Sequence, residues 1–391
     1  MTGMVAGAAA LSPLFSFAGP PVSTRKIRVG VVGGRFGLGF HFDKHPNVTV
    51  EAVSDLIPER RQKLMDTYKC QKSYESLEIL LRDPKIEAVA LFTPVPDHAQ
   101  HVMQSLNAGK HVLCAVPAVT TLDEAHQVQE TVKRTGLTYM MAETSFYRPQ
   151  VLSAKKFYKE GLFGNIFSSA SVYYHPGLEA LWFEKGGKPT WRHGLPPMLY
   201  PTHVTAYLVS VTGERLVTVS CNGWGDGSRF LKNNPYNNPF WNESASFRTS
   251  KGNTFFGEVC WKGALVGTER GEWHGDKMSY YQEYKGLGDH RVFAGETMGT
   301  DDAGFKVAKP KMEDYPTVEW HKTDLLPEAM RIKTGHGNSH CFITHEFIDS
   351  IINNREPKVN IREALAYTVP GIIAHESAMK DGEQLKIPSF D

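Results

Sequence analysis

KIRVGVVGGRFGLGFHFDKHPNVTVEAVSD, Lys26 to Asp55, decides the fold. It opens on a β-rich apolar run, Ile27 to Val32, and passes at once into a glycine-dense turn at Gly33, Gly34, Gly37 and Gly39. A spacer of helical length leads to a second strand-like run, Val48 to Val53, which closes on Ser54-Asp55. This is the order of a βαβ dinucleotide site. Glycines let backbone N–H groups approach a pyrophosphate at a helix N-terminus, and an acid about 20 residues on takes the ribose hydroxyls. The pattern departs from G-x-G-x-x-G: Arg35 and Leu38 stand where its second and third glycines belong. Asp55 favours NAD over NADP, because a carboxylate accepts from two ribose hydroxyls and repels a 2′-phosphate. Arg60 and Arg61 follow closely in the chain and keep the phosphorylated cofactor open.

Working outward, strands and helices alternate. Pro58–Tyr68 and Leu77–Leu81 read as helices, and Ile86–Phe92 as a buried parallel strand from its continuous apolar content. Ala99–Ala108 is a helix stopped by Gly109, and Lys110–Cys114 a strand. Leu122–Thr135 is a helix stopped by Gly136, and Tyr139–Glu143 a further strand. Such alternation predicts a doubly wound parallel sheet, α/β in class. Beyond it the pattern changes to period two over Ile166–Tyr174, Val217–Cys221, Ser244–Thr249, Thr254–Trp261 and Gly271–His274, which predicts an open, mostly antiparallel sheet. Phe342–Ile352 and Ile361–Met379 read as helices. With 391 residues the chain is long enough for two cores. The division expected is a leader over 1–24, a Rossmann domain over 25–145, and an α+β domain for substrate binding and oligomerisation over 146–391.

The formal net charge of +1, from 43 basic and 42 acidic residues, leaves no electrostatic footprint for nucleic acid or an anionic membrane. Five cysteines, far apart and without C-x-x-C, argue against a disulfide framework and a zinc site. Met1 to Phe17 is small, apolar and uncharged, and Ser16-Phe17-Ala18 is an acceptable cleavage site. This reads as the later part of an export signal lacking its basic n-region, with a twin-arginine route and a periplasmic or otherwise exported protein expected. The alternative is a cytoplasmic protein with an apolar tail. Pro13 and the length of the run speak against a membrane span.

Glycine turn, Ser54-Asp55, Thr93-Pro94 with His98, Ala108-Gly109-Lys110-His111-Val112-Leu113, and then an x-x-Pro turn: in this order the chain resembles the glucose–fructose oxidoreductase / inositol dehydrogenase (Gfo/Idh/MocA) family over nearly its whole length. The resemblance implies NAD, a small sugar or glycoside as partner, a homo-oligomer, and no metal. It places the cofactor on Gly33, Gly34, Arg35, Phe36, Gly37, Asp55, Thr93, Pro94, His98, Val116, Pro117 and Glu143. In that family the last turn is usually Glu-Lys-Pro, with the lysine beside the nicotinamide. Here it is Ala115-Val116-Pro117, and valine neither donates a proton nor polarises a carbonyl.

The informative segment of the second half runs from Trp191 to His203, WRHGLPPMLYPTH. Tyr200 and His203 are three apart at the start of a predicted helix continuing over Val204–Val211, so they can share a face. A neutral imidazole accepts a proton and a phenol relays or donates one. The family usually carries an aspartate four residues before its catalytic histidine; here Leu199 holds that position. Valine before the turn proline together with Tyr-Pro-Thr-His resembles one branch, the NAD-dependent exo-α-N-acetylgalactosaminidases. These oxidise a sugar hydroxyl, generally at C3, eliminate the aglycone, add water and return the hydride. By this resemblance His203, Tyr200 and Glu143 form the catalytic group, with Tyr147, Trp191 and Arg192 as substrate contacts. That branch usually keeps the acid where Ala115 stands, and Thr144-Ser145-Phe146 after Glu143 is a second departure.

Asn233–Asn242, NNPYNNPFWN, is either a wall of a carbohydrate pocket or a loop tucked in by its aromatics. His336, His340 and His345 lack the cysteine or acid pattern of a zinc site. The leading reading is an NAD-dependent oxidoreductase of a secondary sugar hydroxyl, with the cofactor recycled in place as its glycosidase form. Alternatives are a binding protein that holds NAD and sugar without turnover, and a cytoplasmic NADP-linked reductase of a non-sugar carbonyl.

Overall fold

The structure, a computed structural model, describes residues 24–283, 288–295 and 298–391. The apolar leader and its cleavage site lie outside the described residues. Six strands form the first sheet: β1 (Ile27–Val32), β2 (Val48–Ser54), β3 (Ser73–Tyr74), β4 (Ala88–Leu91), β5 (His111–Cys114) and β6 (Tyr139–Met141). All pairs are parallel, in the order β3-β2-β1-β4-β5-β6. The helices between them are α1 (Pro58–Tyr68), α2 (Leu77–Leu81), α3 (His98–Asn107) and α4 (Leu122–Thr135). α4 starts on a capping box, Thr121 with Glu124, and ends on Gly136 at φ 64°. β4, with no polar side chain, is buried on both faces, as a strand between two helical layers must be.

One element departs from the sequence reading. No α-helix lies between β1 and β2; two short 3₁₀ turns, Phe36–Gly39 and Phe42–Lys44, replace it. Three residues favour the irregular path. Gly37 and Gly39 are poor helix formers, and His41 takes a left-handed φ of 52°. The aromatic side chains then decide it. Phe40 packs on Phe92 (4.4 Å) and on His340 (4.4 Å), and Phe42 on Tyr68, contacts that a regular helix here would have to give up.

The rest of the chain builds a second sheet around α5 (Pro149–Lys159) and α6 (Thr202–Thr212). Its strands are β7 (Ile166–Tyr174), β8 (Leu216–Trp224), β9 (Asn242–Thr249), β10 (Thr254–Cys260), β11 (Thr268–Gly275), β12 (Met278–Tyr281) and β13 (Asp289–Phe293). A separate hairpin, β14 (Met298–Thr300) with β15 (Lys306–Ala308), precedes β16 (Lys311–Tyr315). After α7 (Gly335–Ile352) and α8 (Ile361–Ala378), β17 (Leu385–Lys386) completes the sheet in the order β16-β13-β12-β11-β7-β10-β9-β8-β17. Only the central β7–β10 pair is parallel. Burial alternates along β9 and β10, so one face meets the helices and the other, carrying Phe167 and Phe256, faces outward.

α7 and α8 tie the two sheets together. Phe342, Ile343 and Phe347 of α7 share a buried cluster with Ile27, Val29 and Val31 of β1. From α8, the Tyr367 carbonyl accepts from the Thr205 hydroxyl on α6 at 2.7 Å, and just before it Val359 O accepts from Met141 N of β6 at 3.0 Å. The C-terminal helices therefore close the nucleotide core, and the ends of β1, β4, β5 and β6 face α6 across a cleft.

Candidate active site

A cavity of about 730 Å³ runs along that cleft, outside the carboxyl ends of the parallel strands, where open α/β sheets bind ligands. At one end it is lined by Gly33, Gly34, Arg35, Phe36 and Asp55. Gly33 has φ +104°, and a Cβ there would run into the Phe92 backbone. A Cβ on Gly34 would stand 2.6 Å from Arg60 O. Both positions keep the backbone bare, as a pyrophosphate cradle requires. Asp55 is pinned through both carboxylate oxygens, accepting from Gly34 N (2.6 Å) and Ile57 N (2.8 Å). Arg61 turns away to donate to Asp55 O (2.8 Å), whereas Arg35 and Arg60 line the cavity.

Midway lie Thr93, Pro94, His98 and Val116. The His98 ring is buried between two carbonyls, Pro117 O at 2.7 Å from Nδ1 and Thr93 O at 3.0 Å from Nε2, and so ties the turn after β4 to the turn after β5. The hydroxyls of Ser54 and Thr144 border the cavity, buried, and meet no hydrogen-bond partner within the protein. A bare-backbone cradle, a fixed carboxylate and two free hydroxyls along one channel fit a dinucleotide.

The far end is built around His203. α6 begins at Thr202, so His203 sits in its first turn as expected, while Tyr200, expected at the start of the same helix, stands just before it in a non-helical conformation with its ring 5.3 Å away. His203 is 4% exposed and borders the cavity. Its Nδ1 lies 3.2 Å from Glu143 Oε1 and 3.0 Å from Ser145 Oγ. The Ser145 hydroxyl donates to Glu269 Oε2 (2.7 Å), and Glu269 is gripped by two nitrogens of Arg148. Burial pushes the imidazolium of His203 down, but the Glu143 and Glu269 carboxylates outweigh it and the net pKa is raised. Burial raises Glu269, yet the Arg148 guanidinium overrides it and holds the acid at about 2. With Nδ1 engaged from behind, Nε2 is the nitrogen left for chemistry. Tyr200 is raised by burial, against the positive charge of Arg192, and Tyr173 is raised well above a normal phenol, again by burial. Both phenols keep their protons near neutral pH and act as donors.

Trp191 and Arg192 border the same end, the guanidinium 4.1 Å over the indole. Four residues of the sequence reading stand elsewhere. Glu143 is fully buried and outside the cavity wall, because Ser145 N folds back onto its Oε1 (2.7 Å); it meets His203 from behind. Tyr147 is buried against Phe342 (ring centroids 5.6 Å, 4° apart) and faces the core shared with α7. Gly37 is buried under the Phe92 ring, and Pro117 takes part through its carbonyl on His98. The Asn233–Asn242 loop does not line the cavity: Trp241 stacks on Trp182 (4.6 Å), and Tyr236 donates to Trp191 O (2.7 Å), bracing the wall from outside.

The sequence reading missed Tyr173, His175 and Trp261 of the wall and the Ser145–Glu269–Arg148 chain behind it. Tyr173 and His175 carried a signal, an aromatic and a histidine before Pro-Gly at a strand end; Glu269 carried none. His336 also borders the cavity. It stands in a left-handed turn with Gly337 and Asn338 inside α7, and its Nδ1 meets His340 Nε2 at 3.0 Å, while His340 Nδ1 meets Gly39 O at 2.9 Å.

Comparison with known proteins agrees with this geometry. Residues 27–143 match the model of GFO_IDH_MocA, an oxidoreductase family with an NAD-binding Rossmann fold. A glycosyl hydrolase family 109 protein of Saccharopolyspora erythraea is 23% identical over 397 residues, which cover 93% of this chain and 83% of that protein. An alpha-N-acetylgalactosaminidase of Shewanella oneidensis is 29% identical over 184 residues, 44% of this chain and 39% of that protein. In three dimensions, scyllo-inositol dehydrogenase from Lactobacillus casei with bound NAD(H) and scyllo-inositol superposes with a TM-score of 0.69 at 16% identity, covering 93% of this chain and 99% of that one, which establishes the shared fold. Residues 27–143 thus belong to the Gfo/Idh/MocA oxidoreductase family, as its NAD-binding Rossmann domain.

Proposed function

We propose that the protein oxidises a secondary hydroxyl, at C3, of a sugar or glycoside, and that NAD is recycled in place so that the net reaction is glycoside cleavage. The observation that carries this reading is His203. It is the buried, carboxylate-backed base at the substrate end of the cavity, and Val116 and Leu199 rule out the lysine and aspartate that the family usually places there. The glycosidase relatives support the redox-neutral form.

Bound NAD would supply a hydride acceptor that makes a C3 ketone and so acidifies the neighbouring C–H. His203 takes the C3 hydroxyl proton at Nε2, and Glu143 stabilises the imidazolium at Nδ1. Tyr200 and Tyr173, both protonated, donate hydrogen bonds to sugar oxygens as charge develops on them. Arg192 orients Tyr200 and, with Trp191, offers a stacking and hydrogen-bonding edge to the sugar. Burial of these groups keeps water from the reacting carbon.

The test uses protein purified without added cofactor. Denaturation should release NAD(H), and intact protein should free the aglycone from an aryl glycoside with no net NADH. NADH made from added NAD and a free sugar would replace the glycosidase by a plain dehydrogenase. NAD binding with neither signal would leave the binding-protein reading, in which His203→Ala costs nothing but ligand affinity, whereas in the enzyme it costs activity with binding retained.

A further inference from the structure

Taking His203 as the base, the atoms behind it determine which of its nitrogens can act. Nδ1 faces Ser145 Oγ at 3.0 Å, Glu143 Oε1 at 3.2 Å and, farther off, Glu269 Oε2 at 4.0 Å. A serine hydroxyl has one hydrogen. That of Ser145 is committed to Glu269 at 2.7 Å, so its oxygen can only accept from Nδ1. Glu269 in turn can only accept, because Arg148 keeps it ionised. Among the described residues, the other groups electrostatically coupled to His203 or in ring contact with it are Arg148 before α5, Tyr173 and His175 at the end of β7, Tyr200 before α6, and His336 at the start of α7. None of these bonds Nδ1.

We propose that Glu269, on β11 and outside direct hydrogen-bond reach of the imidazole, is a positioning residue: through the Ser145 hydroxyl it holds His203 as the Nδ1–H tautomer and leaves Nε2 to accept the substrate proton. This rests on the reading of His203 as the base. Glu143 Oε1, farther off at 3.2 Å, also accepts from Nδ1–H, and Ser145 decides whether that preference is reinforced or opposed. A Ser145 hydroxyl freed from Glu269 can rotate and donate to Nδ1, which drives the ring proton to Nε2 and blocks the acceptor.

Glu269→Gln reverses the polarity of the chain. Arg148 donates from two nitrogens, so the single amide oxygen turns to it and the amide NH₂ turns to Ser145. Ser145 then accepts from the amide and donates to Nδ1. The experiment is ¹⁵N spectroscopy of histidine-labelled, substrate-free protein, with His203 assigned by its loss in His203→Asn. Wild type should show a protonated Nδ1 and an unprotonated Nε2. Glu269→Gln should move the ratio toward Nε2–H, with kcat on the best glycoside falling tenfold to a hundredfold, within the range of general-base effects. Ser145→Ala leaves no buried charge unpaired, so it remains informative if Glu269→Gln fails to fold. It should move the ratio the same way, and adding Glu269→Gln to it should change the ratio no further.

A wild-type Nε2–H tautomer overturns the proposal, as does a ratio unaltered in Ser145→Ala. Because the tautomer is read without substrate, turnover with an unaltered ratio refutes this inference alone. The expected ratios without turnover of any sugar refute the reading of the function alone.

Discussion

Glu143→Gln is the sharpest test of the charge behind His203. Two unit charges at the 3.2 Å between Glu143 Oε1 and Nδ1 interact by about 5 kcal/mol at an effective dielectric of 20. The glutamine oxygen can keep the bonds from Ser145 N and Nδ1–H, and a neutral hydrogen bond is worth roughly half a charged one. About 2–3 kcal/mol of imidazolium stabilisation is therefore lost. At 1.36 kcal/mol per unit, that lowers the His203 pKa by about two units. As the base, His203 must be neutral to accept a proton, so the acid limb of the pH–kcat profile should move down by about two pH units. The weaker base should also lower the plateau of kcat by about a hundredfold. The fold should tolerate the change, because the amide nitrogen replaces Oε2, which makes no hydrogen bond within the protein. Circular dichroism and NAD(H) content report on that point. An acid limb that stays in place in folded, NAD-loaded Glu143→Gln would refute the claim that this carboxylate tunes His203.

At the other end of the cavity, Gly34→Ala puts a Cβ 2.6–2.9 Å from backbone and Cβ atoms of Arg60, so α1 must shift and take Asp55 with it. NAD(H) affinity should fall about fivefold to 150-fold, for a loss of about 1–3 kcal/mol; an unchanged affinity would show that the cradle does not hold the pyrophosphate. Arg192→Ala should raise KM about tenfold or more and lower kcat less, since it removes a contact made in ground and transition states alike; an unchanged KM would take Arg192 out of the sugar site. Stability should fall in mild acid. Burial and the neighbouring His345 hold His45 at about 3, and burial holds His340 at about 4, against 6.5 for a free imidazole. Between those values the unfolded chain binds more protons than the folded one, so stability is lost as pH falls from 7 and levels off only below pH 3–4. From pH 7 to 5 each should cost about 2 kcal/mol. Equal urea midpoints at pH 7 and 5 would contradict this, and His45→Gln should remove at most about a third of the drop, because burial and the neighbouring His340 hold His336 at about 4 as well.

How much of this was legible in the sequence depended on whether the signal was local. Parallel strands announce themselves as short apolar runs between turn residues, and β1, β4 and β5 were read within a residue or two of their observed ends. The glycine turn and Asp55 are local too, because both belong to one βαβ unit. The missing helix after β1 was not legible, since its cause is long-range: Phe40 prefers the faces of Phe92 and of His340, 300 residues later. Tyr147 was misplaced for a related reason. Spacing from Glu143 gives its position along the chain, while the direction of its ring is set by Phe342 on α7. Strands β12, β13 and β16 escaped because they are short and lie toward one edge of the sheet, and β14 and β15 because they form a short separate hairpin; neither period two nor a dense apolar run survives there.

Glu143 and Glu269 show the same limit in the chemistry, and under the proposed function they account for a site without the lysine and aspartate of the proteins the chain resembles. A lysine in the x-x-Pro turn, which the resemblance leads one to look for, can be found by motif. Here the charge sits one layer back. Two carboxylates and one guanidinium surround the far nitrogen of His203, with a summed charge of −1 that a proton on the imidazole would bring to zero. Under the proposed function, a proton taken from the substrate would be held in a neutral cluster rather than added as an unpaired buried charge, whose cost would otherwise be several kcal/mol. The reacting face keeps Nε2 and neutral phenols, which can give and take one proton in both directions of a hydride exchange. Such a cluster needs the turn after β6, α6 and β11 to meet, and apart from Glu143 and Arg148 its members are far apart in sequence. It becomes visible only when the two sheets are brought together.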